Sequence, residues 1–421
     1  MIQHHADRGR CAVTPEPLNA GVVVARFSGA PYACCPMPSE RERVCTACFV
    51  AASTADWERH KHECSVLHSQ AGRLQELADA PVSDLLLLGR CLWRRRAVAE
   101  KPRAEDVAFD ELKAGEITQG DWDLARLAAA MPGLLPPSLC GKPNISTCAE
   151  ILACFRVNNF GITNELHRVV GAGCYPAAAI LNHSCHPNCV LFFAGANLQV
   201  RTCTDVLRGD ELCHSYIELC QPTALRREEL RSRYGFECAC ARCCNGLFVD
   251  GEDVDAAMLS SNPSINSLDP SFDSALETAD SLLRQAEAEE DERAELELCR
   301  EAVTLLRKFC HRWSTLRYRA EGRCLSVALP CGENEVALES CRSLVNFLEV
   351  TLHHVPYHPL LALQHFTLCD LELEVGDRSR AKAQMEACTK GLAISHGKES
   401  SVRSAAHERW HKEFGSADSR A

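Results

Sequence analysis

An α+β protein is what this sequence predicts: a β-rich core in the N-terminal half, a helical insertion within that core, and an all-helical C-terminal domain. Three observations carry the prediction. Short apolar runs broken by Gly and Pro recur near 22–35 and through 155–245, the pattern of strands and turns. From Phe272 onward apolar residues return at helical spacing. Twenty of the 27 cysteines lie before residue 245, several in tight clusters.

The elements follow in order. Residues 1–44 hold short strands around Val22–Val24 and Tyr32–Cys35. Residues 45–64 form a Cys/His segment. Over 65–154, Leu74, Leu77, Leu85 and Leu88 recur at helical spacing before and after charged positions, with a Pro-rich break at Pro132–Pro137, which predicts a helical insert. Residues 155–236 return to strands: Cys189-Val-Leu-Phe-Phe193, a turn at Gly195-Ala-Asn197 and Leu198-Gln-Val-Arg-Thr202 read as a hairpin. A cysteine loop occupies 237–245. Residues 246–271, rich in Ser, Asn, Asp and Pro, read as a linker.

In the C-terminal domain, 272–421, Phe272, Ala275, Leu276, Ala279, Leu282 and Ala286 mark one helix and Leu298, Ala302, Leu305 and Phe309 the next. Leu360–Val375 stops at Gly376, a natural C-cap, and Ala381, Met385, Cys388 and Leu392 mark another helix. Two helices per roughly 36 residues approximate a tetratricopeptide unit.

The bounds from composition exclude several classes. The formal net charge of −12 disfavours bulk binding to nucleic acid, although Arg90–Arg96 offers a local anion contact. The longest apolar run, Leu85–Leu88, is far too short for a membrane span, and Met1–Arg10 lacks the apolar stretch of a signal peptide. The expectation is a soluble intracellular monomer, cytoplasmic, nuclear or both. In a reducing compartment clustered cysteines predict zinc rather than disulfides. Isolated ones, Cys91, Cys140, Cys154, Cys299 and Cys341, read as small buried hydrophobes.

The chemistry concentrates in Asn182-His183-Ser184-Cys185-His186-Pro187-Asn188, then Gly209-Asp210-Glu211-Leu212, Ser215-Tyr216 and Cys238-Ala-Cys240-Ala-Arg-Cys243. Cys238, Cys240 and Cys243 on one tight loop supply three corners of a zinc tetrahedron and need a fourth ligand from elsewhere. The order and spacing of these motifs resemble the SET-domain protein-lysine methyltransferases, and specifically the SET and MYND domain family. That resemblance spans about residues 7–245 and implies methyl transfer from S-adenosylmethionine to an exposed lysine of a protein substrate, a histone tail or a non-histone protein.

The resemblance also implies roles. Cys185 becomes the fourth ligand of a structural zinc. Tyr216, with Tyr234 and Phe160, matches the aromatic channel that receives the lysine; each taken alone is as readily a core aromatic. Arg8, Gly9, Asn158, Asn182, His183, Tyr216 and Phe236 match positions that hold the cofactor. Pro17-Leu18-Asn-Ala-Gly21 and Pro31-Tyr32-Ala33 are further counterparts, whereas Asp7 replaces the first of the family's paired glycines.

Of the family's eight finger ligands this chain keeps Cys45, Cys48, His60 and Cys64, a truncated MYND-like finger. Their spacing suits one rearranged zinc site; the alternatives are no zinc, or a sequence lacking a segment. Two functions compete: an active methyltransferase, favoured by the retained core motifs, and a catalytically weak scaffold that binds protein partners through the finger and helical domain. Acidic residues at 250–300 (Glu252, Asp253, Asp255, Glu287, Glu289, Glu290, Asp291) read either as an attractor of basic peptides or as an ordinary solvated face.

Overall fold

The computed structural model describes residues 1–5, 8–27, 33–37, 39, 82–98, 109–130, 144–263 and 270–415. The finger candidates Cys45, Cys48, His60 and Cys64 lie outside the described residues, as do Asp7, Pro31, Tyr32 and Cys140.

The chain opens with an antiparallel hairpin, β1 (Ile2–His5) and β2 (Gly9–Ala12). β3 (Val23–Phe27) and β4 (Ala33–Pro36) then enter two different sheets. Helices Val82–Val98, Gln119–Ala130 and Ile145–Asn158 follow. The remaining core strands are β5 (Asn159–Thr163), β6 (Val169–Cys174), β7 (Asn182–His183), β8 (Cys189–Ala194), β9 (Asn197–Thr202) and β10 (Cys213–His214). Two three-stranded antiparallel sheets, β3-β9-β8 and β4-β6-β5, flank a parallel pair of β7 with β10.

The β8–β9 hairpin is tight, pairing Ala194 with Asn197 around Gly195, whose φ of +60° is the left-handed conformation such a turn demands. The insert is held by burial on all sides of one helix. Leu85, Leu86, Leu87 and Leu88 are all buried, against Phe109, Ile151, Leu152 and Phe155 and against Cys35 and Cys174 of the β4–β6 sheet. Each such leucine contributes roughly 1.5–3 kcal/mol. The basic run beside it is no anion patch at its start, because Arg90 is buried and donates to the Cys34 carbonyl, while Arg95 pairs with Asp110 at 2.8 Å.

Residues 246–263, read from sequence as linker, are instead anchored. β11 (Phe248–Val249) and β12 (Glu252–Asp253) form a hairpin, Val254, Ala257 and Met258 are buried, and Asp255 accepts from Arg226 at 2.8 Å and Arg242 at 3.0 Å. Burial raises the Asp255 carboxyl, but the two guanidiniums outweigh it and hold the group below the usual carboxylate range. Asp255 therefore leaves the set of acidic residues available to a basic peptide.

Seven helices of the C-terminal domain are described: Pro270–Ala288, Glu292–Phe309, Thr315–Ala328, Asn334–Thr351, Pro359–Glu374, Arg378–Ser395 and Ser401–Phe414. Each packs mainly on its sequence neighbours. In Glu292–Phe309 the buried stripe runs through Leu296, Cys299, Val303 and Leu306, with Leu298 and Leu305 only partly buried at its flank. Ala381, Met385, Cys388 and Leu392 are fully buried as the periodicity predicts, and Gly376 ends its helix at φ +80°.

The helical domain is tied to the core by Glu165. Its carboxylate accepts from Ser400 Oγ (2.7 Å), Ser401 Oγ (3.0 Å) and the Val402 amide (3.1 Å), capping the last helix from outside.

Candidate active site

The two motifs separated by some twenty residues in sequence are one unit in space. β7 and β10 pair in the register Asn182↔Cys213 and His183↔His214, and the Ser184 amide donates to the His214 carbonyl at 3.0 Å. Asn188 spans the gap with both ends of its amide: Nδ2 donates to the Glu211 carbonyl at 2.8 Å, and Oδ1 accepts from the Cys213 amide at 2.9 Å. Asn and His recur in this loop because short polar side chains satisfy buried backbone groups that a two-residue strand leaves unpaired.

The N-terminal hairpin closes over this unit. Asn182 Nδ2 donates to Glu211 Oε1 at 2.8 Å and to the Arg10 carbonyl at 3.0 Å. Arg8 pairs with Glu211 at 2.7 Å and donates to the His183 carbonyl at 3.1 Å. Between them Gly9 has φ +70°, the left-handed conformation glycine favours, with open space where a Cβ would stand. Gly9 is thus called for by the turn itself.

Next to this unit lies a cavity of about 330 Å³. Phe160, His214, Tyr216 and Tyr234 line it from the core, and His358, Pro359 and Leu360 at the start of a C-terminal helix complete the wall. The Tyr216 ring lies 5.0 Å from both His214 and Tyr234, and Phe160 stacks on His214 at 5.6 Å. The Tyr216 hydroxyl donates to the Leu181 carbonyl at 2.7 Å, and Tyr234 donates to the Tyr216 carbonyl at 3.3 Å. Burial pushes the Tyr216 phenol well above its ordinary value, so it is neutral at physiological pH.

Behind the cavity wall, Asn159 Oδ1 and His214 Nε2 are buried and have no hydrogen-bond partner among the described residues. The predicted residues divide accordingly. Arg8, Gly9, Asn182, His183 and Phe236 gather around β7, the Phe236 ring 6.1 Å from His183. Asn158 lies apart at the end of its helix, lining the cavity while its amide donates to the Lys113 and Cys154 carbonyls.

Sequence reasoning missed His214. The signal was present, since period-two alternation places residue 214 on the same side as Tyr216. It also missed His354, whose Nε2 lies 2.8 Å from the Cys185 carbonyl and which no local motif marks.

Cys185, Cys238, Cys240 and Cys243 converge with all four sulfurs within 4.8 Å of one another, and Cys185 to Cys243 is 3.6 Å. A tetrahedral zinc with bonds of about 2.3 Å needs sulfurs about 3.8 Å apart, so this donor set fits the metal. Cys244 is exposed and outside the cluster. Hydrogen bonds among the four thiols push Cys240 and Cys243 down, Cys243 to about 6, and Cys185 up, as expected where several thiols share protons and negative charge.

The SET domain family model matches residues 9–217, which holds β2 through β10, Asn182 to Asn188 and Tyr216. Residues 9–217 are thus a SET domain, and the chain is similar to SET and MYND domain proteins. The chain is similar to curated proteins, among them these three. Histone-lysine N-methyltransferase ASHR1 of Arabidopsis thaliana is 24% identical over 447 residues, covering 94% of this chain and 91% of that protein. Histone-lysine N-methyltransferase SMYD3 of Mus musculus is 27% identical over 285 residues, 62% of this chain and 63% of the relative. N-lysine methyltransferase SMYD2 of Mus musculus is 28% identical over 280 residues, 61% and 63%. The match thus spans nearly all of ASHR1 and a little under two thirds of SMYD3 and SMYD2.

Proposed function

We propose that this chain is an S-adenosylmethionine-dependent protein-lysine N-methyltransferase. The observation that carries the reading is the neutral, half-buried Tyr216 at the wall of an aromatic cavity, inside a SET core. The relatives' names as histone-lysine and N-lysine methyltransferases support it.

The residues fit two cationic reactants. Faces of Phe160, Tyr216 and Tyr234 attract a cation. When bound, S-adenosylmethionine supplies an electrophilic methyl on a sulfonium, which passes to the lysine nitrogen as the C–S bond breaks with its electron pair going to sulfur. The lysine enters the cavity, loses one proton to solvent in the course of a turnover, and is held by the aromatic walls away from bulk water. Tyr216 spends its proton on the Leu181 carbonyl, so its oxygen is left to accept an N–H from the amine and orient the nitrogen lone pair. Arg8, Gly9, Asn182, His183 and Phe236, gathered around β7, would hold the cofactor, with Tyr216 and Asn158 meeting it from the cavity wall.

The four cysteines would hold a structural zinc that fixes the 238–243 loop to the end of β7, and with it Tyr234 and Phe236. The truncated finger, Cys45, Cys48, His60 and Cys64, is read as a second zinc site. The substrate is a protein with an exposed lysine, a histone tail or a non-histone chain.

Calorimetric titration of S-adenosylmethionine, together with transfer of labelled methyl to core histones and to a cell lysate, tests the reading. The wild-type protein is expected to bind cofactor and incorporate label, while Tyr216→Phe binds cofactor and loses most of the incorporation. Failure of the zinc-loaded, folded wild-type chain to bind cofactor overturns it.

A further inference from the structure

Glu218 is a carboxylate that lines the cavity and has no cation beside it. Tyr216, Ile217, Glu218 and Leu219 all border the same space. Ile217, Leu219 and Cys220 are buried and anchor the segment, whereas Glu218 is exposed and so stands where the cavity opens to solvent. The Cys220 amide donates to Glu218 Oε1 at 2.9 Å, which fixes the group while most of its accepting capacity stays open. Among the described residues no arginine, lysine or histidine forms an ion pair with it. Other carboxylates of the core are already matched, Glu211 by Arg8 and Asp255 by Arg226 and Arg242. His167, also in the cavity wall, lies within the field of Glu218, but burial holds its imidazole below the ordinary value and neutral at physiological pH, so it does not supply the missing charge.

Resting on the methyltransferase reading, we propose that Glu218 recognises an arginine or lysine of the substrate that lies one or two residues from the target lysine. Tyr216 and Glu218 are two residues apart, so their Cα atoms are separated by at most about 7 Å. A substrate whose target lysine reaches Tyr216 carries its next two side chains across the same span, and the long stem of an arginine or lysine brings a cation to the carboxylate.

An ion pair at a solvent-exposed rim is weak and is screened by salt, so its effect is choice among accessible lysines rather than tight binding. The net charge of −12 draws basic segments to the protein in general. Glu218 adds position, because it acts only on the residues it can touch.

The test uses full-length, zinc-loaded protein and alanine- and serine-based peptides with one central lysine and a single arginine placed one, two or five residues from it on either side. The last placement keeps the net charge and stands out of reach. Rates of methyl transfer from S-adenosylmethionine give kcat/KM, and calorimetry on protein saturated with S-adenosylhomocysteine gives affinity. Wild type is expected to favour arginine at a near position over the far one about fivefold at low salt, the difference shrinking at about 0.5 M salt. Glu218→Gln is expected to lose the preference, and Glu218→Lys to transfer it to peptides with glutamate at that position; melting curves establish that each variant is folded. Near and far peptides alike in both measurements with wild type, or a folded Glu218→Gln that keeps the preference, overturns the inference. So does a Glu218→Gln that weakens every peptide equally, which would assign the carboxylate to the target lysine itself. Failure of S-adenosylhomocysteine to bind at all strikes instead at the methyltransferase reading beneath it.

Discussion

The backbone amide of Tyr216 donates to Nδ1 of His183 at 3.0 Å, and the other nitrogen of the same imidazole lies 3.2 Å from Cys185 Sγ. Because Nδ1 accepts, Nε2 carries the proton and points at the sulfur. One histidine thus joins the tyrosine at the cavity wall to a ligand of the cysteine cluster. The 238–243 loop and the aromatic cavity form one mechanical unit, so disturbing the cysteine cluster is expected to disturb Tyr216.

Removing zinc with a strong chelator, or substituting Cys238→Ser, is expected to lower the melting temperature and abolish methyl transfer together. Structural zinc sites bind with about 10–16 kcal/mol, and even a third of that corresponds to a drop of roughly 10 °C or more in a domain of this size. Metal analysis paired with thermal denaturation checks it. Unchanged melting after complete zinc removal contradicts the structural role.

Asp255→Ala leaves two buried guanidiniums, Arg226 and Arg242, facing each other without a counter-ion. The expected cost is about 3–5 kcal/mol, read as a shifted denaturant midpoint. In the wild type the carboxyl's folded pKa is depressed, so its stabilisation is complete above the unfolded value of about 3.9 and disappears as pH falls through the lower folded value. Asp255→Asn is expected to flatten that acid limb.

Two histidines of the cavity wall titrate in a milder range. Burial holds His214 at about 4 and His358 at about 3, the latter further lowered by His167 and His354. Both folded values lie below the unfolded value of about 6.5, so their stabilisation is full above 6.5 and is lost as pH falls from there towards 4. Each contributes a slope of up to about 1.4 kcal/mol per pH unit. Urea midpoints measured from pH 7.5 to 4.5 are expected to fall in the wild type and to fall less steeply in His358→Phe.

Glu165→Ala removes the acceptor of three donors at the start of helix Ser401–Phe414. The cost is expected to be about 1–2 kcal/mol and to be local. Limited proteolysis then cuts between the sixth and seventh C-terminal helices faster, with the SET core unaffected.

Much of this site was legible in the sequence. The Asn182–Asn188 run, Tyr216 and the three clustered cysteines each name a residue type whose chemistry is specific, and the structure brings Cys185 into the cluster as the resemblance implied. The β8–β9 hairpin and the Ala381–Leu392 stripe were legible because turn chemistry and helical period act locally. Residues 246–263 were not, since their anchoring depends on Asp255 meeting Arg226 and Arg242 from distant positions, which composition does not reveal. His214 was overlooked although it stands two residues before Tyr216, because its strand is only two residues long and carries little pattern of its own.

The measurement that bears most directly on the central claim is transfer of labelled methyl from S-adenosylmethionine to lysine in core histones and lysate proteins, by wild type and by Tyr216→Phe in parallel. Cofactor affinity and melting temperature are determined on the same samples. Lysine-borne label with the wild type, reduced about ten- to a hundredfold in a folded, cofactor-binding Tyr216→Phe, is the predicted result. Equal incorporation by both proteins, or none by a wild type that binds cofactor and zinc, contradicts it.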